Sequence, residues 1–142
     1  MSITKLNNLS ISAVTALPSG VGGKVLQVVN ATDSTERSTS SGTFVTASST
    51  LTLSITPSSA SNKIFVICST FIQPQGSGND TYITLYRNST NLGATNGTLT
   101  FLDSPATTSA TTYEFRMKVS AGTSYINANS TTGSITAVEI AG

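Results

Sequence analysis

Thr112-Tyr113-Glu114-Phe115-Arg116-Met117-Lys118-Val119 decides the fold class of this chain. Tyr113, Phe115, Met117 and Val119 fall on one side of an extended backbone, and Glu114, Arg116 and Lys118 on the other. Side chains alternate with period two in a strand, so the stretch reads as a β-strand with one buried face and one wet face. Ala121-Gly122 follows as a turn and Ser124-Tyr125-Ile126-Asn127 as a return strand, which predicts a hairpin.

Toward the N-terminus the same period recurs in Leu51-Thr52-Leu53-Ser54-Ile55-Thr56 and again over residues 82–88. Residues 64–72 are apolar on both faces, which predicts one strand covered on two sides. A Val-rich strand over 24–30, short ones over 43–47 and 98–102, and a last one over 134–141 complete the set. Residues 57–62 read as a turn, 73–80 as a polar loop and 89–97 as a Gly/Asn-rich connection. No segment longer than a turn or two has helical period. Eight to ten short antiparallel strands punctuated by turns predict an all-β fold, an antiparallel β-sandwich of the jelly-roll kind.

The first residues read differently. Ile3, Leu6, Leu9 and Ile11 are scattered through a Ser, Thr and Asn background without a helical stripe. Leu17-Pro18-Ser19-Gly20-Val21-Gly22-Gly23 then reads as a hinge. Residues 1–23 are expected to be an extended docking arm whose apolar side chains need a partner surface, and residues 24–142 a β knob. Residues 1–5 have no charged segment leading into an apolar run, so no signal peptide is expected. The longest apolar run is too short for a membrane span.

Composition narrows function. Ser and Thr make up 48 of 142 residues, and charged residues only 9%, against roughly 25% in ordinary globular proteins. The seven Lys and Arg are scattered singly, without the basic face that a nucleic-acid binder needs. Histidine is absent, which removes the Ser-His-acid mechanism. One cysteine and no histidine leave no zinc site, and the lone Cys68 sits in an apolar run as a small hydrophobe. Gly20-Val21-Gly22-Gly23-Lys24 lacks the first glycine and the final Ser/Thr of a phosphate loop. The carboxylates Asp33, Glu36, Asp80, Asp103, Glu114 and Glu139 are dispersed, so paired-carboxylate hydrolysis is not expected. No enzyme, metal or cofactor is expected. Gln75, Asn79, Asp80 and Tyr82 in one loop, and Asn91 and Asn96 in the next, are the candidate receptor-facing residues. Amides and an aromatic ring can bond sugar hydroxyls and stack on sugar rings.

Three stretches carry a resemblance: Gly22-Gly-Lys-Val-Leu-Gln-Val-Val29, Asp103-Ser-Pro-Ala-Thr-Thr-Ser-Ala-Thr-Thr-Tyr113 and Ser134-Ile-Thr-Ala-Val-Glu-Ile-Ala-Gly142. In this order they resemble a family of small β domains in tail-fibre-like and other virion proteins of tailed phages, marine phages and cyanophages especially. The resemblance implies a jelly roll like the trimeric heads of tumour necrosis factor and the complement collagen-tail proteins. It implies a homotrimer in a virion appendage and supplies no catalytic residues. Phe65, Phe71, Tyr113 and Phe115 are then the candidate trimer core, hiding apolar surface about a threefold axis. The expected role is a short trimeric appendage, docked on other virion proteins by its arm and presenting the knob to a host surface glycan. The alternative is a capsid decoration or head-fibre protein that stabilises the shell. Neither needs nucleic acid or membrane insertion.

Overall fold

The computed structural model describes residues 24–95 and 99–142. Ile3, Leu6, Leu9, Ile11 and Asn96 lie outside them, as does the rest of the arm. The described residues form twelve strands and no helix. These are β1 (Val25–Asp33), β2 (Arg37–Thr39), β3 (Val45–Thr46), β4 (Thr52–Ile55), β5 (Lys63–Ser69) and β6 (Ile72–Gln75). The remainder are β7 (Thr81–Arg87), β8 (Thr90–Thr95), β9 (Leu99–Asp103), β10 (Thr111–Val119), β11 (Thr123–Ile126) and β12 (Gly133–Ile140).

They pair into a four-stranded sheet in the order β1-β12-β5-β9 and a five-stranded sheet in the order β3-β10-β7-β8, with β4 beside β3 on the same edge of β10. A three-stranded sheet, β2-β11-β6, caps one end. Every pairing is antiparallel. Setting aside the short strands β2, β3, β6 and β11, one sheet takes the first, last, third and sixth strands and the other the second, seventh, fourth and fifth. That interleaving is what two nested Greek keys produce.

The core lies between the two larger sheets. Ile64, Val66, Cys68, Leu99, Ile135 and Ala137 face Leu53, Ile55, Ile83, Leu85, Tyr113, Phe115 and Met117, all 5% exposed or less. Each fully buried Leu, Ile or Phe stabilises the fold by about 1.5–3 kcal/mol. The alternation expected over 112–119 is present, with Tyr113, Phe115, Met117 and Val119 buried.

Four expectations need correction. Residues 64–72 are not one strand: β5 ends at Ser69, the chain bends at Thr70 and Phe71, and β6 joins the capping sheet. Apolarity on both sides of β5 has another cause as well, since Phe65 and Ile67 point away from the core and Ile67 is 38% exposed. Residues 73–75 are strand rather than loop: Gln73, Pro74 and Gln75 pair with Tyr125, Ser124 and Thr123. Pro74 is tolerated because β6 is an edge strand, with no partner on its outer side for a proline to disappoint. Most of the Gly/Asn-rich connection is likewise a strand, β8, which pairs with β7. Finally, β10 and β11 are not a hairpin. β10 already has β7 on one edge and β3 with β4 on the other, so no edge remains for β11, which pairs with β2 and β6.

The sandwich has two distinct ends. Ala141 N donates to Lys24 O (3.0 Å), so the chain enters β1 beside its own C-terminus, with Lys63 and Asp103 at the same end. Asp33, Ser69 and Leu99 lie at the far end, where the capping sheet attaches through Asn127 N to Phe71 O (3.0 Å).

Candidate interaction surfaces

The outward side of the four-stranded sheet carries one apolar row among rows that are mostly polar. Cross-strand register aligns Val28 with Val138, Val138 with Phe65, and Phe65 with Leu102, one continuous row over all four strands. Val28 is 59% exposed and Leu102 63%. Val25 and Leu26 extend the exposed apolar surface at the entry end, and Ile67 adds to it in the next row. In that row Asn30 Nδ2 donates to Thr136 Oγ1 (2.8 Å), the two polar side chains bonding each other across the same face. Isolated exposed aliphatics are ordinary on proteins, but a contiguous apolar patch marks an interaction surface.

The proposed trimer-core residues separate on this geometry. Phe65 belongs to the apolar row, and Phe71, 42% exposed, sits on the bend between β5 and β6. Tyr113 and Phe115 do not qualify. Both are 0% exposed, packed inside the protomer's own core, because the inward side of β10 is the side that carries them. Tyr113 is held there by polar bonds as well. Its hydroxyl donates to Asp103 Oδ2 (2.6 Å), and Asp103 accepts from Arg87 Nη1 at 2.8 and 3.0 Å. Burial, then the Asp103 bond and charge, raise the phenol well above its ordinary range, so it stays a neutral donor.

The receptor-facing candidates also divide. Asn79 and Asp80 precede β7 at the far end, where Asp80 N donates to Ser120 Oγ (2.8 Å). Asn91 sits opposite Tyr86, near the other end of β7. Seven residues of strand separate the two groups by about 20 Å, so they make no common site. Two of the amides are committed to the fold. Asn79 Nδ2 donates to Gln75 O (3.0 Å) and Thr123 O (2.9 Å), tying the turn before β7 to β11. Asn91 Oδ1 accepts from Thr84 Oγ1 and Gly93 N at the irregularity in β8. Gln75 and Asp80 are exposed; Tyr82 is half-buried on the outward side of β7.

The outward side of the five-stranded sheet is aromatic and charged. Arg116 lies 4.0 Å over the Tyr86 ring and forms a 2.8 Å ion pair with Glu114. Lys118 stands 5.1 Å from the rings of both Phe44 and Tyr82. Phe44 was not among the sequence-predicted residues. Its only signal was an aromatic side chain next to a two-residue strand, too short to show a period.

Among the described residues no group of three or more His, Cys, Asp or Glu is placed to hold a metal ion. Cys68 lines a cavity of about 500 Å³ with Ile67, Ile72, Ile83 and Phe115, and burial pushes its thiol up to about 12, the wrong direction for a nucleophile. No protein-family profile and no curated protein sequence matches the chain.

Proposed function

We propose that this chain is a non-enzymatic structural protein of a bacteriophage virion. In this reading it is a jelly-roll module that associates as a homotrimer through the outward face of its four-stranded sheet, docks through residues 1–23 and turns its far end toward a host-surface glycan. The observation that carries the reading is the row Val28, Val138, Phe65 and Leu102. A monomer gains nothing by leaving Val28 and Leu102 exposed with Val138 and Phe65 half-buried between them, whereas copies packed on that face remove them from water at about 25 cal/mol per Å². The row supports self-association, and the number three comes from the resemblance to trimeric heads. Three chains packed on this face would each enter from the same end, which suits docking there and display at the other.

Native mass measurement tests the reading. A trimer is expected at micromolar concentration, and a clean monomer overturns it. Adsorption of the trimer to host cells separates the two virion roles: cell binding supports an attachment appendage, and its absence from a correctly formed trimer supports the capsid-decoration alternative.

A further inference from the structure

Lys118 differs from every other cation on the outward side of the five-stranded sheet. Arg116 is bound to Glu114 and stacked closely on Tyr86; Arg87, at the end of β7 and on the inward side beside Tyr113, is bound to Asp103. No carboxylate among the described residues stands within ion-pair distance of Lys118. Its register partner is Tyr82, and Phe44 precedes Val45, which pairs with Met117. Phe44, at the entry to β3, therefore lines up with Lys118 of β10 and Tyr82 of β7, with the ammonium between two half-buried rings. At 5.1 Å from each ring centroid the ammonium retains donors for a ligand. Just beyond Tyr82, exposed Asp80 is anchored by Ser120 N to its carbonyl (2.9 Å). The row lies at the far end, away from the point where residue 24 enters.

We propose that Phe44, Lys118 and Tyr82 form a ledge that binds a neutral saccharide, deepening the host-glycan part of the function proposed above and resting on it. The rings offer apolar surface to the C–H face of a pyranose, the ammonium donates to its hydroxyls, and Asp80 supplies an acceptor at the rim. Asp80 balances the charge of Lys118 at this end, which favours a neutral sugar over an acidic one. Asn79, with its amide committed to Gln75 and Thr123, is not part of the ledge.

The test uses the full-length protein on an array of bacterial-surface oligosaccharides, neutral and uronate-bearing, with native mass recorded for every variant. Wild type is expected to bind neutral members, with affinity changing less than about twofold as salt rises from about 0.05 to about 0.5 M. Tyr82→Ala and Phe44→Ala each lose about tenfold or more, as expected for removing a stacking surface. Lys118→Met, which keeps the length of the side chain and removes its donors, weakens binding without changing assembly. Tyr86→Ala, farther along the same face, retains it. Array binding that survives both ring variants, that is confined to uronate-bearing members, or that is absent from wild type overturns the ledge. A trimer that adsorbs to cells while failing the array leaves the virion reading standing and removes only this site; a monomer removes the virion reading.

Discussion

Glu139 is one of two buried carboxylates that couple this sandwich to pH. It is 0% exposed and has no ion-pair partner among the described residues. Its carboxylate accepts from Asn62 Nδ2 (2.6 Å), Gln27 Nε2 (2.6 Å), Ser58 N (2.7 Å) and Ser58 Oγ (2.9 Å). Burial alone would raise its pKa, but these donors outweigh it and bring the group down to about 2. Asp33 behaves alike: burial raises it, while bonds from Ser48, Thr35 and Arg37 lower it further still. Both groups are more acidic folded than unfolded, so their stabilisation is present above the ordinary carboxylate range and lost as pH falls through the folded values. The urea midpoint is therefore expected to be level near neutrality and to drop between about pH 5 and about pH 2; a midpoint unchanged from pH 7 to pH 3 would contradict this account. Glu139→Gln should cost about 2 kcal/mol at pH 7, since it places an NH₂ among donors, and should flatten part of that slope.

At the element scale the decisive segment is the turn from β10 into β11. Gly122 has φ +62°, and a Cβ there would lie 2.5 Å from Gln75 O. Backbone of β6 closes on this turn, where the chain leaves the five-stranded sheet after β10 and enters the cap as β11. Gly122→Ala is expected to destabilise by about 2 kcal/mol, from left-handed strain plus the overlap, lowering Tm by roughly 5 °C. Calorimetry decides it, and an unchanged Tm would mean the turn has room to shift. Strand identity was readable here, because Tyr113 to Val119 shows its period plainly. The partner of β11 was not, because edge occupancy on β10 depends on β3, β4 and β7, which arrive from distant parts of the chain.

For the whole molecule, two sets of apolar residues that look alike in sequence should respond oppositely. Val28 and Leu102 are surface members of the apolar row, so Val28→Lys with Leu102→Lys should convert the expected trimer to a folded monomer, read by native mass with unchanged far-UV dichroism. Phe115→Ala, by contrast, opens a cavity in the protomer's core and should cost about 3–5 kcal/mol, seen as a loss of urea resistance whatever the oligomeric state. A folded, trimeric Lys double variant would show that the row is not the interface. Deletion of residues 1–20 should leave the knob assembled and missing from particles; normal incorporation of the truncated protein would remove the docking role of the arm.

Alternating apolar residues in Leu51 to Thr56 and Tyr113 to Val119, the absence of helical period and the abundance of turns determined the all-β class on their own. These are local properties, since a strand's two faces are set by backbone geometry and visible within a few residues. The missing histidine likewise bounded the chemistry before any fold was known. Tertiary structure alone decided which apolar residues are core and which are surface. Phe65 and Phe115 are equally hydrophobic, and only the pairing of β5 with β12 and β9, and of β10 with β7, puts one outside and the other inside. The Val28-Val138-Phe65-Leu102 row and the Phe44-Lys118-Tyr82 row are likewise products of register, each joining residues far apart in the chain. No single strand contains the information that aligns them, because register is set by all the strands packing one shared core at once.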